Sequence, residues 1–225
     1  MFELSGERPF LPVDAGHAHA LFEWGLNWAI GSYAHNYLIL HSAVLETQGI
    51  GVLLSAVSGS GKSTLAAELA LSGWRLLSDE LALLDENLEL VPCTRPVSLK
   101  NSSIDLISHR YPEAVFGPLA RNTHNGSIAH LPAPETSVQR GIDSAMPRLI
   151  VFPKWRDGAS LRVSAVGQGE AAMRLIDQSF NYSTLGKSGF ERLAGMVDLA
   201  EAWEIEYSSL DDARDALTEL VEQHG

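Results

Sequence analysis

The sequence predicts an α/β fold, a mixed sheet with flanking helices, and three observations point to it. Apolar runs of strand length alternate with segments of helical periodicity along most of the chain. One such run, Gly51 to Val57, stops abruptly in Ser58-Gly59-Ser60-Gly61 and gives way at once to an alanine-rich helical pattern. The chain has 225 residues, 45% of them hydrophobic, enough for one large domain with an ordinary core.

The elements follow in order. Apolar positions at Leu21, Trp24, Leu26, Trp28, Ala29 and Ile30 predict an N-terminal helix over about 15–33. A core of strands and the Gly-rich loop spans about 37–100. It contains two runs, Tyr37 to Leu45 and Gly51 to Val57, joined by a polar turn, then a helix from Ser63 that closes at Gly73. Trp74 to Leu77 is a further strand, and a hairpin turns on Asp85-Glu86-Asn87. The segment 101–147 is expected to be irregular apart from a helix near Ser102. Its polar, Gly- and Pro-punctuated part, Arg121 to Gly141, is expected to be a mobile cover. The remainder, 148–225, reads as strands and helices, with Ser209 an N-cap three residues before Asp212. No repeat or linker breaks the pattern, so one domain is expected over 1–225.

Composition excludes several classes of function. The formal net charge is −12 and no two Lys or Arg residues are adjacent, which argues against a nucleic-acid surface or an anionic membrane partner. Cys93 is the single cysteine, so neither an internal disulfide nor a cysteine-rich metal site can form. Nothing resembles a signal peptide and no membrane span is expected, which together predict a cytoplasmic location.

Ala56-Val57-Ser58-Gly59-Ser60-Gly61-Lys62-Ser63 fits a phosphate-binding loop, with alanine where the first glycine often stands. Gly59 and Gly61 let the backbone turn its N–H groups toward one point, and the following helix adds the positive end of its dipole. The backbone of Val57, Ser58, Gly59, Ser60, Gly61, Lys62, Ser63 and Thr64 would then hold the phosphates of ATP. Lys62 would reach the outer ones, and the Ser63 hydroxyl would ligate Mg²⁺. The Thr64 side chain is expected to pack on the helix.

Seventeen positions after Lys62 the next apolar strand ends in Ser78-Asp79-Glu80. A carboxylate at a strand end beside a phosphate loop is where a Mg²⁺-supporting acid or a general base belongs. Asp79 and Glu80 are both candidates, and both can serve only if the chain turns there. His41, in the strand before the loop strand, is a weaker candidate, because a histidine among apolar strand residues is more often structural. His35 and His41 are too isolated for a metal site, and Arg95, Lys100, His124, Arg148, Lys154 and Arg156, each able to meet phosphate as a cation, are more simply surface residues.

Three segments in order, Leu40-His41-Ser42-Ala43, Gly51 to Leu65 and Gly73 to Glu80, resemble the kinase domain of HPr kinase/phosphorylase. The resemblance implies the phosphate-loop fold shared with phosphoenolpyruvate carboxykinase and an activity that phosphorylates serine on a carrier protein. It also implies that Asp79 is the general base and that His41 orients the acidic pair, with Lys62 in the catalytic set. Metal would fall to Ser63, Asp79 and Glu80, the last standing where HPr kinase has a second aspartate. Further segments, among them Glu23 to Trp28, Arg95 to Asn101, Ala129-His130, Phe180 to Ser183 and Glu206 to Ser208, are similar to the HPr kinase-related kinase A group, which accompanies exosortase systems in bacteria. No counterpart of the HPr-recognition segment or of the separate N-terminal domain of HPr kinase is visible.

The function expected is a Mg²⁺- and ATP-dependent kinase acting on a hydroxyl, most simply serine, of a protein, peptide or small molecule. Two alternatives stand beside it: a nucleotide-binding regulatory module that transfers nothing, and a bifunctional kinase/phosphorylase. Self-association to a homo-oligomer is left open.

Overall fold

The computed structural model describes residues 1–224. A 3-10 turn, Ala15–His17, leads into α1 (Ala18–Tyr33). Next come β1 (Leu38–Leu40), β2 (Ser42–Thr47), β3 (Ile50–Ser55), α2 (Lys62–Leu71), β4 (Arg75–Ser78), β5 (Ala82–Leu84), β6 (Leu90–Val91) and β7 (Val97–Lys100). The second half holds α3 (Ser102–Arg110), β8 (Ala120–Thr123), β9 (Gly126–Leu131), α4 (Glu135–Gln139), β10 (Pro147–Trp155) and β11 (Arg162–Val166). It ends with α5 (Gln168–Asp177), α6 (Tyr182–Leu185), α7 (Lys187–Leu199), β12 (Glu201–Tyr207) and α8 (Leu210–Glu222). No helix among the described residues is long and apolar enough to cross a membrane.

The main sheet has six strands in the order β11-β12-β10-β3-β2-β4. β3, β10 and β12 run parallel, and β2 runs antiparallel between β3 and β4. The carboxyl ends of β3, β4, β10 and β12 therefore share one edge, and β2 begins at that edge. Loops at the carboxyl ends of such strands are where α/β sheets bind ligands. Two smaller antiparallel sheets, β1-β5-β6 and β7-β9-β8, flank it.

Strand residues alternate between the two faces, as the pleat requires. Ala43, Leu45, Val52, Leu54, Leu76 and Val151 pack against α2 and α8 on one face. Val44, Leu53, Leu77, Ile150 and Phe152 pack against α5 and α7 on the other. Both faces are covered, which explains why these strands read as continuous apolar runs. The β2–β3 hairpin closes through Gln48 and Gly49, both at positive φ (53° and 80°), a two-residue turn whose twist matches the strands.

Helix α2 is held by a buried carboxylate. Glu68 is fully enclosed and accepts hydrogen bonds from Arg110 of α3 (Nε–Oε2 2.9 Å) and Arg214 of α8 (Nη1–Oε1 3.0 Å), clamping three helices together. Ser209 caps α8 as its spacing predicts, its hydroxyl accepting from the Asp212 N–H at 3.2 Å.

The structure corrects three expectations. His41 is not mid-strand: the run from Tyr37 breaks there, because His41 N donates to Gln178 O (2.7 Å) while the chain passes from the β1 sheet to the main sheet. The segment 101–147 is not irregular. Beyond α3, the helix expected near Ser102, it holds the β8–β9 hairpin and α4, and Arg121 to Gly141 runs largely through these elements rather than as one long loop. Polar Arg121 and Asn122 stand exposed on an edge strand, which hides the strand from an alternation test. β7 also escapes a periodicity reading, being short and directly preceded by Pro96.

β9 carries His130 beneath α1, where its ring stacks on that of His19 (centroids 4.7 Å apart, planes 5° apart). Burial, then the neighbouring His19, lowers the His130 pKa from 6.5 to about 4.

Two outcomes follow from this packing. Glu68→Ala should destabilise the fold by about 2 kcal/mol, since it removes the enclosed acceptor that joins the three helices and leaves Arg110 and Arg214 only their exposed partners Asp211 and Asp215. Urea unfolding measures this, and a loss within about 0.5 kcal/mol, the range of an ordinary surface substitution, would show the clamp to be inert. For His130, the unfolded chain takes up a proton near pH 6.5 while the folded chain resists it down to about 4. Between those values the unfolded state binds more protons, so stability falls as pH falls. His130→Gln should flatten that dependence in unfolding free energies measured from pH 6.5 to 4.5.

Candidate functional site

The site is built at the shared strand edge. Val57 to Gly61 join β3 to α2, with Gly59 and Gly61 at φ 86° and 90°, in the left-handed region that favours glycine. Gly61 has a second constraint. A Cβ there would lie 2.9 Å from both Trp155 Cβ and the Tyr207 hydroxyl, whereas a Cβ at Gly59 would meet open space. The loop is also tied to the sheet, for Trp155 N donates to Ser60 O at 2.9 Å. Ser60 Oγ is buried without a hydrogen-bond partner, and the Val57 side chain is exposed.

Lys62, the first residue of α2, is buried and reaches across the start of β2 to the end of β4. Its Nζ donates to the Asp79 carbonyl oxygen at 2.8 Å and lies 4.0 Å from Asp79 Oδ1. Asp79 is only 4% exposed. Its Oδ2 accepts from the Ser98 N–H of β7 at 3.0 Å, while Oδ1 is buried with no hydrogen-bond partner. Burial pushes the Asp79 carboxyl above the ordinary aspartate value. Lys62 opposes that rise, Glu80 adds to it, and the Ser98 N–H and Ser63 hydroxyl oppose it.

The chain turns after β4, with the Ser78 hydroxyl accepting from Leu81 N at 3.2 Å. Asp79 and Glu80 can therefore both face the loop. Glu80 is more open than Asp79 and lies 3.9 Å from His41 Nε2. Burial lowers the His41 pKa, as do the Lys62 and Lys100 charges, against the pull of Glu80. At neutral pH His41 is thus a neutral imidazole beside a carboxylate, able to accept or pass a proton.

The residues singled out in the sequence separate clearly. His41, Lys62, Ser63, Asp79 and Glu80 converge at the helix start. Thr64 does not pack passively on its helix; its hydroxyl donates to Ser103 Oγ at 2.7 Å, tying α2 to α3. Arg95 is no simple surface residue either: its guanidinium is largely buried, bonded to Asn27 and 3.8 Å from Glu23. Sequence reasoning missed Ser98, Trp155 and Tyr207. Ser98 acts through its backbone, for which no side-chain signal exists. Trp155 and Tyr207 reach the loop from strands far along the chain, although Trp155 does follow an apolar strand run.

A cavity of about 280 Å³ opens beside the loop on the α5 side, lined by Ala56, Ser60, Phe152, Lys154, Arg174 and Glu204 among others. Arg174 lies over the Phe152 ring and is paired with Glu204 at 2.9 Å.

No cluster of three or more histidine, cysteine or acidic side chains suited to a metal exists among the described residues. A Mg²⁺ ion takes only one or two protein carboxylates and completes its shell with phosphate oxygens and water. The Asp79 carboxylate, the Ser63 hydroxyl and Glu80 are the groups that would be near enough to hold one.

No family model matches the chain. A stretch of 43 residues, 19% of the chain, is 49% identical to HPr kinase/phosphorylase of Stenotrophomonas maltophilia strain K279a, and equally to that of strain R551-3. The match spans 14% of the length of each relative. Among solved structures, the Hpr(Ser) kinase/phosphatase of Coxiella burnetii aligns over 83% of this chain and 95% of its own, at 12% identity and a TM-score of 0.33. By the 43-residue identity the chain is similar to HPr kinase/phosphorylase, the family that its phosphate-loop and acidic-pair segments also resemble.

Proposed function

We propose that the chain is a phosphotransferase that moves the γ-phosphate of ATP to a hydroxyl acceptor, with serine of a protein or peptide the simplest form. The observation that carries this reading is Asp79, a buried carboxylate with one unbonded oxygen, held 4.0 Å from the lysine of a phosphate loop. A buried carboxylate oxygen left without a partner is available to accept a proton from an incoming hydroxyl.

This reading gives each group a role. Backbone N–H groups of Val57 to Thr64 and the α2 dipole hold the phosphate chain. Lys62 swings from the Asp79 carbonyl to the outermost phosphate, a small displacement for a long side chain. Ser63, with Asp79 or Glu80, would hold Mg²⁺, which when bound would neutralise charge on the phosphate oxygens. Asp79 Oδ1 takes the proton of the acceptor hydroxyl as that oxygen bonds to the γ-phosphorus, while the bond from phosphorus to the ADP oxygen breaks. The raised Asp79 pKa makes it a stronger base than an ordinary aspartate once it is ionised. His41 and Glu80 form a second proton-handling pair at the mouth, and His41 orients the acids. Catalysis of this kind is mostly positioning and charge neutralisation, which suits so small a set of groups.

Two variants test the reading. Lys62→Ala should weaken ATP-Mg²⁺ binding by about ten- to a hundredfold, the worth of a charge-assisted contact, and calorimetry on the folded variant reads it. Asp79→Asn should leave nucleotide binding nearly intact and cut transfer of γ-labelled phosphate to acceptors in a cell extract by about 10²–10⁴. Binding that falls together with transfer, with partial recovery at high Mg²⁺, would instead assign Asp79 to the metal. A wild-type chain that binds ATP and labels no acceptor would make the domain a nucleotide sensor.

A further inference from the structure

The phosphate loop has two flanks along the sheet edge, and they differ in kind. On the β2–β4 flank stand His41, Asp79 and Glu80, with Lys62 turned toward them. On the β10–β12 flank stands Trp155. β10 pairs with β3 only as far as Val151 opposite Leu54, then continues past the end of β3 to Trp155, which lies opposite Tyr207 of β12. The strand thus forms a wall beside the loop. At the top of that wall the base of the Trp155 side chain closes on Gly61, its Cβ leaving no room for a Cβ there.

Three anchors fix this ring. The Trp155 backbone N–H donates to Ser60 O at 2.9 Å, the indole N–H donates to Ser208 O at 3.2 Å, and the side chain abuts Gly61. Even so, Trp155 remains 46% exposed, while the Tyr207 behind it is buried. An immobilised aromatic that keeps half its surface in water is a poor contributor to the core and a good stacking platform.

Resting on the reading that the loop holds a nucleoside triphosphate, we infer that Trp155 is the platform on which the base of that nucleotide stacks. The outer phosphate is drawn to the Lys62 ammonium, which is turned toward the β2–β4 flank, so the nucleoside leaves the loop by the other flank. Were it to leave on the β2–β4 side, it would fill the space the acceptor needs. On the β10–β12 side the exposed face it meets beside Gly61 is Trp155. Stacking tolerates any base, since each presents a π-face.

Calorimetry with two ligands, ATP and inorganic tripolyphosphate, each with Mg²⁺, separates this inference from the reading beneath it. The wild type should bind ATP more tightly than tripolyphosphate. Trp155→Ala should weaken ATP by about five- to a hundredfold, the worth of one stacked base, and leave tripolyphosphate unchanged. Trp155→Phe should retain most of the ATP affinity, and Lys62→Ala should weaken both ligands. If Trp155→Ala loses both ligands equally, the ring only supports the loop and the inference fails. If it loses neither, the base lies elsewhere, with the cavity beside Ala56 and Phe152 the nearest alternative, and the inference again fails. Equal binding of ATP and tripolyphosphate by the wild type overturns the base site alone. A wild type that binds neither overturns the phosphate-loop reading as well.

Discussion

The contact between Lys62 and Asp79 joins the two halves of the site, and the surrounding structure is arranged to permit it. A buried ammonium and a buried carboxylate come within 4.0 Å of one another without a direct hydrogen bond, the lysine donating instead to the aspartate's own carbonyl. Such an arrangement is costly to bury unless each charge has other support. Asp79 has the Ser98 N–H from a separate sheet, and Lys62 has the nearby carboxylates. The depressed pKa of His41 and the raised pKa of Asp79 both trace to this crowded, dry patch of charge. Perturbed titrations of that kind cluster where chemistry is done.

The remainder of the fold serves to bring four chain ends to one edge. β3 supplies the loop, β4 the acids and β10 the indole, while β2, running the opposite way, starts beside His41. The antiparallel β2 lies between loop strand and acid strand, so Lys62 must span one extra strand to reach Asp79. The side chain that makes this reach is almost wholly buried.

Legibility in the sequence follows how local each feature is. The phosphate loop can be read directly, since its function needs consecutive residues of set type, and Asp79 follows from the next strand end. Covered on both faces, the central strands appear as unbroken apolar runs, and their existence is plain. What escapes depends on partners distant along the chain. The break at His41 is made by a hydrogen bond to Gln178, and Ser98 holds Asp79 with a backbone group that no residue type announces. The β8–β9 hairpin is hidden because Arg121 and Asn122 face solvent on its edge. Arg95 reads as a surface cation, yet Glu23 and Asn27 of α1 pair with it, Asn27 from 68 positions away, which spacing cannot disclose.

The hairpin of β2 and β3 has a further consequence, for the order in which the site comes into being. Its two-residue turn at Gln48 and Gly49 closes a very short loop, and β4 then adds to β2 after only one helix. His41, the phosphate loop and Asp79 thus lie within one stretch of local pairings, the kind that forms early because little chain entropy stands against it. Trp155 and Ser208 arrive by parallel pairing from the far end of the chain, a slower closure. A nascent chain would in this way acquire its anion cup and acid before the wall beside them, and the cup would stay open along that flank until β10 docks.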